Sequence, residues 1–182
     1  MKLSGLPRRR GLSQVVTTLI ILVVSVFMAG GTLTYYTTAV ASNSIKMEQL
    51  VIRDASVWVN ETGAQVALVI ENVGGRDTLI DCIEVRFSEV PWSSVYVANG
   101  SGGILTPVET LNITGAFVHT VGVETLGFNM AHGSILMPIG ESIILYLDQP
   151  DNLSLEDVGS TAYVTIYTPT LQYLAVVDVE LA

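Results

Sequence analysis

Hydrophobic positions follow two different rhythms along this chain, with the change near residue 48. Residues 11–45 carry no charge, and within them residues 15–33 read VVTTLIILVVSVFMAGGTL. That run is long enough to cross a bilayer as a helix. Its apolar residues fall on every face rather than on one stripe, which predicts burial all round. No proline lies between Pro7 and Pro91 to break it. After Gly31 the run turns more polar through Thr32, Thr34, Tyr35, Tyr36, Thr37 and Thr38, and then Ser42, Asn43 and Ser44. The two tyrosines suit a membrane interface. A helix over residues 12–47 would be roughly 54 Å long, well beyond a hydrocarbon core of about 30 Å.

From Leu50 the period is two. Val57 and Val59 alternate with Ser56, Trp58 and Asn60, and Val66, Leu68 and Ile70 with Ala67, Val69 and Glu71. Ile83, Val85 and Phe87 alternate with Glu84, Arg86 and Ser88; Val164 and Ile166 with Tyr163, Thr165 and Tyr167. Ala175, Val177, Val179 and Leu181 alternate with Val176, Asp178 and Glu180, and residues 142–148 add another strand. This is the pattern of half-buried strands. Turn-forming clusters separate them at 61–63, 74–75, 99–103, 149–152 and 168–170. Short strands with regular turns predict an all-β antiparallel sandwich over residues 48–182. The least regular stretch, 91–132, reads as longer loops and short strands. The last strand, 172–181, is expected to pair inside the sheet, because an unpaired apolar edge invites association.

Charge is divided as sharply as periodicity. All 17 acidic residues follow residue 47, while four of the eight basic ones, Lys2, Arg8, Arg9 and Arg10, precede the helix. The basic cluster is expected to stay on the cytoplasmic side, leaving the remainder outside. Without residues 1–11 the net charge falls from −9 to 4 − 17 = −13. So acidic a surface repels nucleic acid, whose binding needs positive charge. Cys82 is the sole cysteine, so no internal disulfide can form, and its apolar neighbours predict an inert thiol. Four N-x-S/T sequons, at Asn60, Asn99, Asn112 and Asn152, predict a glycosylated outer surface.

The front of the chain does not fit a secretory signal peptide, whose apolar core is shorter and is followed by the cleavage site. Here the small-residue candidate, Gly11, precedes the apolar run. Arg8-Arg9-Arg10-Gly11-Leu12-Ser13-Gln14 followed by an apolar helix resembles the class III signal of archaeal type IV pilins and archaellins. The resemblance covers about residues 8–40. It implies cleavage between Gly11 and Leu12 by a membrane-embedded prepilin peptidase, with residues 1–11 as leader. Bacterial type IV pilins usually carry a glutamate five residues into the mature chain; this chain has Val16, as archaeal members commonly do. The Glu71-Asn72-Val73-Gly74-Gly75 segment resembles the strand–turn–strand of immunoglobulin-like heads in archaeal filament proteins. What the resemblance implies is a pilin-like fold and a homopolymer of identical subunits. Residues 12–47 would pack with their copies through Val16, Leu19, Ile20, Val23, Val26, Phe27, Gly30 and Gly31. An assembly machinery, a membrane-held precursor and an adhesive surface filament follow from it too. A rotating archaellum, or an anchored β-sandwich binding module that never polymerises, are the other readings.

Catalytic and metal patterns are missing from the sequence. Blue-copper sites need two His, one Cys and a weak Met. Cys82, His119, His132 and Met130 or Met137 supply the types, but Cys82 precedes both histidines by more than 35 residues, the wrong order. Asp148, Asp151, Glu156 and Asp157 lack EF-hand spacing. There is no G-x-S-x-G and no phosphate-cradling loop. The expectation is a structural protein, not an enzyme, without cofactor or metal.

Overall fold

The structure is a computed structural model that describes residues 8–44, 47–100, 105–110 and 113–182, with side chains in the first helix described for residues 14–41. It divides into two compact units, Met1–Ser44 and Ile45–Ala182. The first contains one continuous helix, α1 (Arg8–Ser44, 37 residues). It begins before the expected cleavage point, so the Gly11–Leu12 bond lies within the helical span. It also stops earlier than residue 47: Met47 is already outside it. The sequence Ser42-Asn43-Ser44 accounts for the stop, since such side chains compete with the helical backbone bonds.

The second unit, the head, is built of strands: β1 (Leu50–Asn60), β2 (Gly63–Asn72), β3 (Thr78–Ile80), β4 (Cys82–Val85), β5 (Ser88–Glu89), β6 (Val95–Gly100), β7 (Phe117–Val121), β8 (Glu124–Met130), β9 (Ile135–Met137), β10 (Ser142–Asp148), β11 (Thr161–Tyr167) and β12 (Gln172–Leu181). Ten of them form one sheet in the order β5-β4-β11-β12-β1-β2-β10-β6-β8-β7, and β3 pairs with β9 separately. The sheet is mostly antiparallel. One pairing departs from the all-antiparallel expectation: β1 and β12 run parallel, with Val57 opposite Val179 and Val59 opposite Leu181. Because β12 lies between β11 and β1, the last strand is paired on both sides, as expected from its apolar pattern.

The sheet folds on itself about β1. Val57, Val66, Leu68, Leu145 and Val95 of one arm pack in the same buried cluster as Ile83, Val85, Val164, Ile166 and Val179 of the other. Ile80 of β3 and Met137 of β9 join that core. A second buried cluster lies on the opposite face of β2 and β10, where Trp58, Ala67, Val69, Ile144 and Tyr146 meet Phe128, Val121 and Leu105. This corrects the half-buried reading of β2: Ala64 through Ile70 are buried on both faces. The cause is the β7–β8 hairpin, which covers a face that alternation alone assigns to solvent. Its Phe117 and Phe128 stack at 4.6 Å, and Tyr146 meets Phe128 edge-on at 5.1 Å. Aromatic contacts of this kind are favourable beyond the area they bury. Tyr146 also donates to the Val108 carbonyl at 2.7 Å and accepts from the Val108 amide, which ties residues 105–110 onto the same face.

A second correction concerns Phe87. Alternation puts it inward with Ile83 and Val85, but β4 ends at Val85. Arg86 and Phe87 form a two-residue turn into β5, and Phe87 is 85% exposed.

Candidate functional site

The first candidate surface is the helix itself. Residues 14–38 are exposed around the whole circumference. Val16, Leu19, Ile20, Val23, Val26 and Phe27, the predicted packing residues, are 41–76% exposed. A Cβ placed on Gly30 or Gly31 would meet nothing within 4 Å, so nothing in the described subunit demands glycine at either position. The polar groups behave differently. The hydroxyls of Thr18, Ser25, Thr32, Thr34, Thr37 and Thr38 each donate to a carbonyl three or four residues back, at 2.6–3.1 Å. Side-chain hydroxyls satisfied in this way do not need water, which is the requirement for a helix in lipid or among other apolar helices. The span Gln14–Ala41 is long and apolar enough to cross a membrane by length and composition. Arg8, Arg9, Arg10, Gly11 and Leu12 lie on the helical backbone, and their side chains are outside the described residues.

The second feature is the strap by which the chain enters the head. The Met47 carbonyl accepts from the Gly75 amide and the Gln49 carbonyl from the Val73 amide, both at 3.0 Å. A Cβ on Gly74 would stand 2.6 Å from the Gln49 nitrogen, so this close approach of two backbone segments requires glycine. Asn72, fully buried, holds the turn: its Nδ2 donates to the Arg76 and Met137 carbonyls, and its Oδ1 accepts from the Gly74 amide. Glu48 is buried between them. Its carboxylate accepts from Arg76 at 2.8 Å, from Thr170 at 2.5 Å, and from Thr168. Burial pushes this carboxyl up, but bonds from Thr168, Thr170, Arg76 and Thr78 outweigh it and bring it from 4.5 to about 2. Beside this cluster opens a cleft of about 310 Å³, lined by Arg76, Asp77, Leu79, Leu136, Pro169 and Thr170 among others.

At the opposite end of the strands, Arg86 is held from several sides. Its guanidinium bonds Asp157 at 2.5 Å and Ser160 at 2.6 Å, and its amide donates to the Tyr163 carbonyl. Asp157 also closes a capping box with Ser154 around the 3-10 turn Leu155–Asp157. The Arg86 hydrogen bond, and then Ser154, hold its carboxyl below the usual range. The acidic cluster of 148–157 thus has one member already committed.

The sequons differ in geometry. Asn60 sits in the β1–β2 turn, where its Oδ1 accepts from the Thr62 hydroxyl at 2.7 Å and from the Thr62 and Gly63 amides. Asn99 is exposed near the end of β6. Asn152 is different: its Nδ2, the atom a glycan would use, donates to the Val85 and Arg86 carbonyls at 2.7 and 3.0 Å. That side chain braces the β4–β5 turn in the folded head. Asn112 lies outside the described residues.

The residues weighed for copper are scattered. Cys82 is on β4, where burial first, and then Glu89 and Glu84, push its thiol up to about 11. His119 is on β7 against Phe117 and Tyr146, His132 is exposed, and Met137 is in the main core. Among the described residues no three His, Cys, Asp or Glu side chains gather as metal ligands. Two features here were not read from the sequence: the Glu48 cluster, because residues 48, 76, 168 and 170 are brought together only by the fold, and the exposed Phe87. The single charged residue between Lys46 and Arg53 was the available sign of the first.

No protein-family model matches the chain, and no curated protein is similar to it. Among solved structures, a GH20 exo-β-N-acetylglucosaminidase from Vibrio harveyi, crystallised as an inactive mutant, aligns over 70% of this chain at 12% identity with a TM-score of 0.22. The chain spans 18% of that enzyme's length, and at this TM-score the likeness bears on neither fold nor activity.

Proposed function

We propose that this chain is the subunit of an extracellular filament of the archaeal type IV pilin class. It enters the cytoplasmic membrane as a precursor, is cut between Gly11 and Leu12 by a prepilin peptidase, and polymerises through α1. The observation that carries the reading is the helix: 37 continuous residues that open with the tri-arginine–glycine start, with an apolar circumference exposed and hydroxyls bonded to its own backbone. From Leu12 onward it is about 50 Å long, more than a bilayer anchor needs. Identical helices packed in a filament core would cover it. Moving from lipid to that core gains little hydrophobic energy, because lipid is already apolar; close packing and head contacts must supply the difference.

The head would form the sheath, with sugars on Asn60 and Asn99. The finer reading of the head is an immunoglobulin-like sandwich. Its support is strand order: β1-β2-β10-β6 follows the A-B-E-D arrangement and β4-β11-β12 the C-F-G arrangement of that architecture. Adhesion is favoured over rotation on the family resemblance, and the protein is read as non-enzymatic. Watching tethered cells for rotation separates an adhesive pilus from an archaellum. A membrane-anchored module that stays monomeric is the second reading, favoured by a span, Gln14–Ala41, that suffices as an anchor alone. Mass spectrometry of sheared, purified surface fibres tests the proposal. It should find this chain beginning at Leu12. Recovery only as lipid-bound monomers that keep Arg8–Arg10 would overturn it.

A further inference from the structure

The β4–β5 turn places two bulky residues where glycine or asparagine is usual. Arg86 has φ +47° and Phe87 φ +66°, the left-handed region that ordinary side chains avoid and that two-residue hairpins fill with Asn-Gly or Asp-Gly. Arg86 has an internal reason to be there, through Asp157, Ser160, Tyr163 and Asn152. Phe87 has no comparable one. The residue is 85% exposed, and its ring lies beside that of Tyr163 at a centroid separation of 6.4 Å. A strained, bulky and exposed apolar residue at a turn tip points to a use outside the subunit.

The strand registers put a receptive surface at the other pole. β11 is antiparallel to β4, so Tyr163 lies by the Arg86 turn and Tyr167 by Cys82, leaving residues 168–170 at the far end. There the 310 Å³ cleft is open, and its apolar wall is made by Leu79 and Leu136, cross-strand partners on β3 and β9 that are 39% and 58% exposed. Arg76 stands on its rim, 45% exposed at the side chain, while the knob's own hairpin carries exposed Glu89. Glu48 pairs with Arg76 and Asp77 lines the same cleft, so net charge does not select the partner; the guanidinium still suits an aromatic face. Knob and cleft lie at the two ends of the short β4–β11 ladder, Tyr163 by one and Thr168 by the other, about 17 Å apart for five residues. A head therefore cannot fill its own cleft.

We propose that Phe87 of one subunit seats in the Leu79–Leu136 cleft of a second copy, joining heads head-to-tail. This rests on the filament reading and names the head contact within it. Two different patches at opposite poles make a heterologous contact, which propagates as an open chain unless a rotation closes it. Burying the exposed ring strengthens that contact by about ten- to hundredfold.

The test uses the full chain with Cys82→Ser, keeping Phe87 and Leu136 and carrying Ser88→Cys beside the ring and Pro169→Cys on the cleft's rim. Oxidised surface fibres should give a ladder of covalent dimers, trimers and higher species on non-reducing gels, and neither single cysteine variant should. Phe87→Gly relieves the turn strain, so the head's melting temperature should hold or rise while fibre yield falls at least tenfold. A merely structural Phe87 would lower both together. Fibres without the 88–169 ladder, or dimers from Ser88→Cys alone, overturn this contact and leave the filament reading standing. Absence of fibres from the unsubstituted chain overturns both.

Discussion

In α1 the hydroxyls of Thr18, Thr32 and Thr34 turn back onto the helix, while Leu19, Phe27 and their apolar neighbours stay exposed. In the head the situation is reversed. Leu68, Leu145 and Val164 are buried at 0% exposure, and the polar side chains of Asn72 and Glu48 reach across the fold for partners. One region is complete in hydrogen bonds and incomplete in apolar contacts; the other has a closed core. The contrast teaches where dependence on surroundings resides: the head closes its own core, and the helix leaves an apolar surface for its surroundings to cover.

The comparison breaks most visibly if the helix is made polar. Val23→Asp places a carboxylate mid-helix, which costs about 2.5–3.5 kcal/mol in an apolar surrounding. Fibre recovery should drop by about sixty- to three-hundredfold at that cost, with the head's melting temperature unchanged. The converse is Leu68→Ala, which opens a cavity in the doubly covered β2. It should destabilise the head by about 2–5 kcal/mol, read by chemical denaturation, and leave membrane insertion of the precursor intact. Smaller is Gly74→Ala, whose Cβ would meet backbone at 2.6 Å; about 1–3 kcal/mol of overpacking loss is expected in the same assay.

The smallest effect is pH dependence. Glu48 titrates lower in the folded head than its ordinary 4.5, so its contribution is complete above about 4.5 and is lost as pH falls toward about 2. Melting curves of the unsubstituted protein should fall more steeply across that window than those of Glu48→Gln. Equal slopes would remove Glu48 from the strap.

Much of this was legible in residue pattern. The helix announces itself because lipid or like helices impose no stripe, so every face is apolar. Val57, Val59, Val164 and Val179 are buried where period two puts them. Pattern failed where tertiary context decides. Ala67 and Val69 share a sheet face with Glu71, and only the later Phe117–Phe128 hairpin determines that the first two are covered. Phe87 kept the alternation of its strand, yet the turn began one residue before it. The sequon at Asn152 carries no sign that its amide donates to the Val85 and Arg86 carbonyls, more than 60 positions away.

The strap at residues 47–49 has a mechanical meaning. A pull applied at Leu50 along the strand axis draws β1 lengthwise. The ladder bonds of β1 to β2, from Leu50–Asn72 through Asn60–Gly63, lie crosswise to that draw and are strained together, not unzipped one after another. The parallel neighbour β12 grips the same strand from its other edge. Yielding therefore requires many bonds to fail at once, the loading geometry in which a β-structure resists hardest.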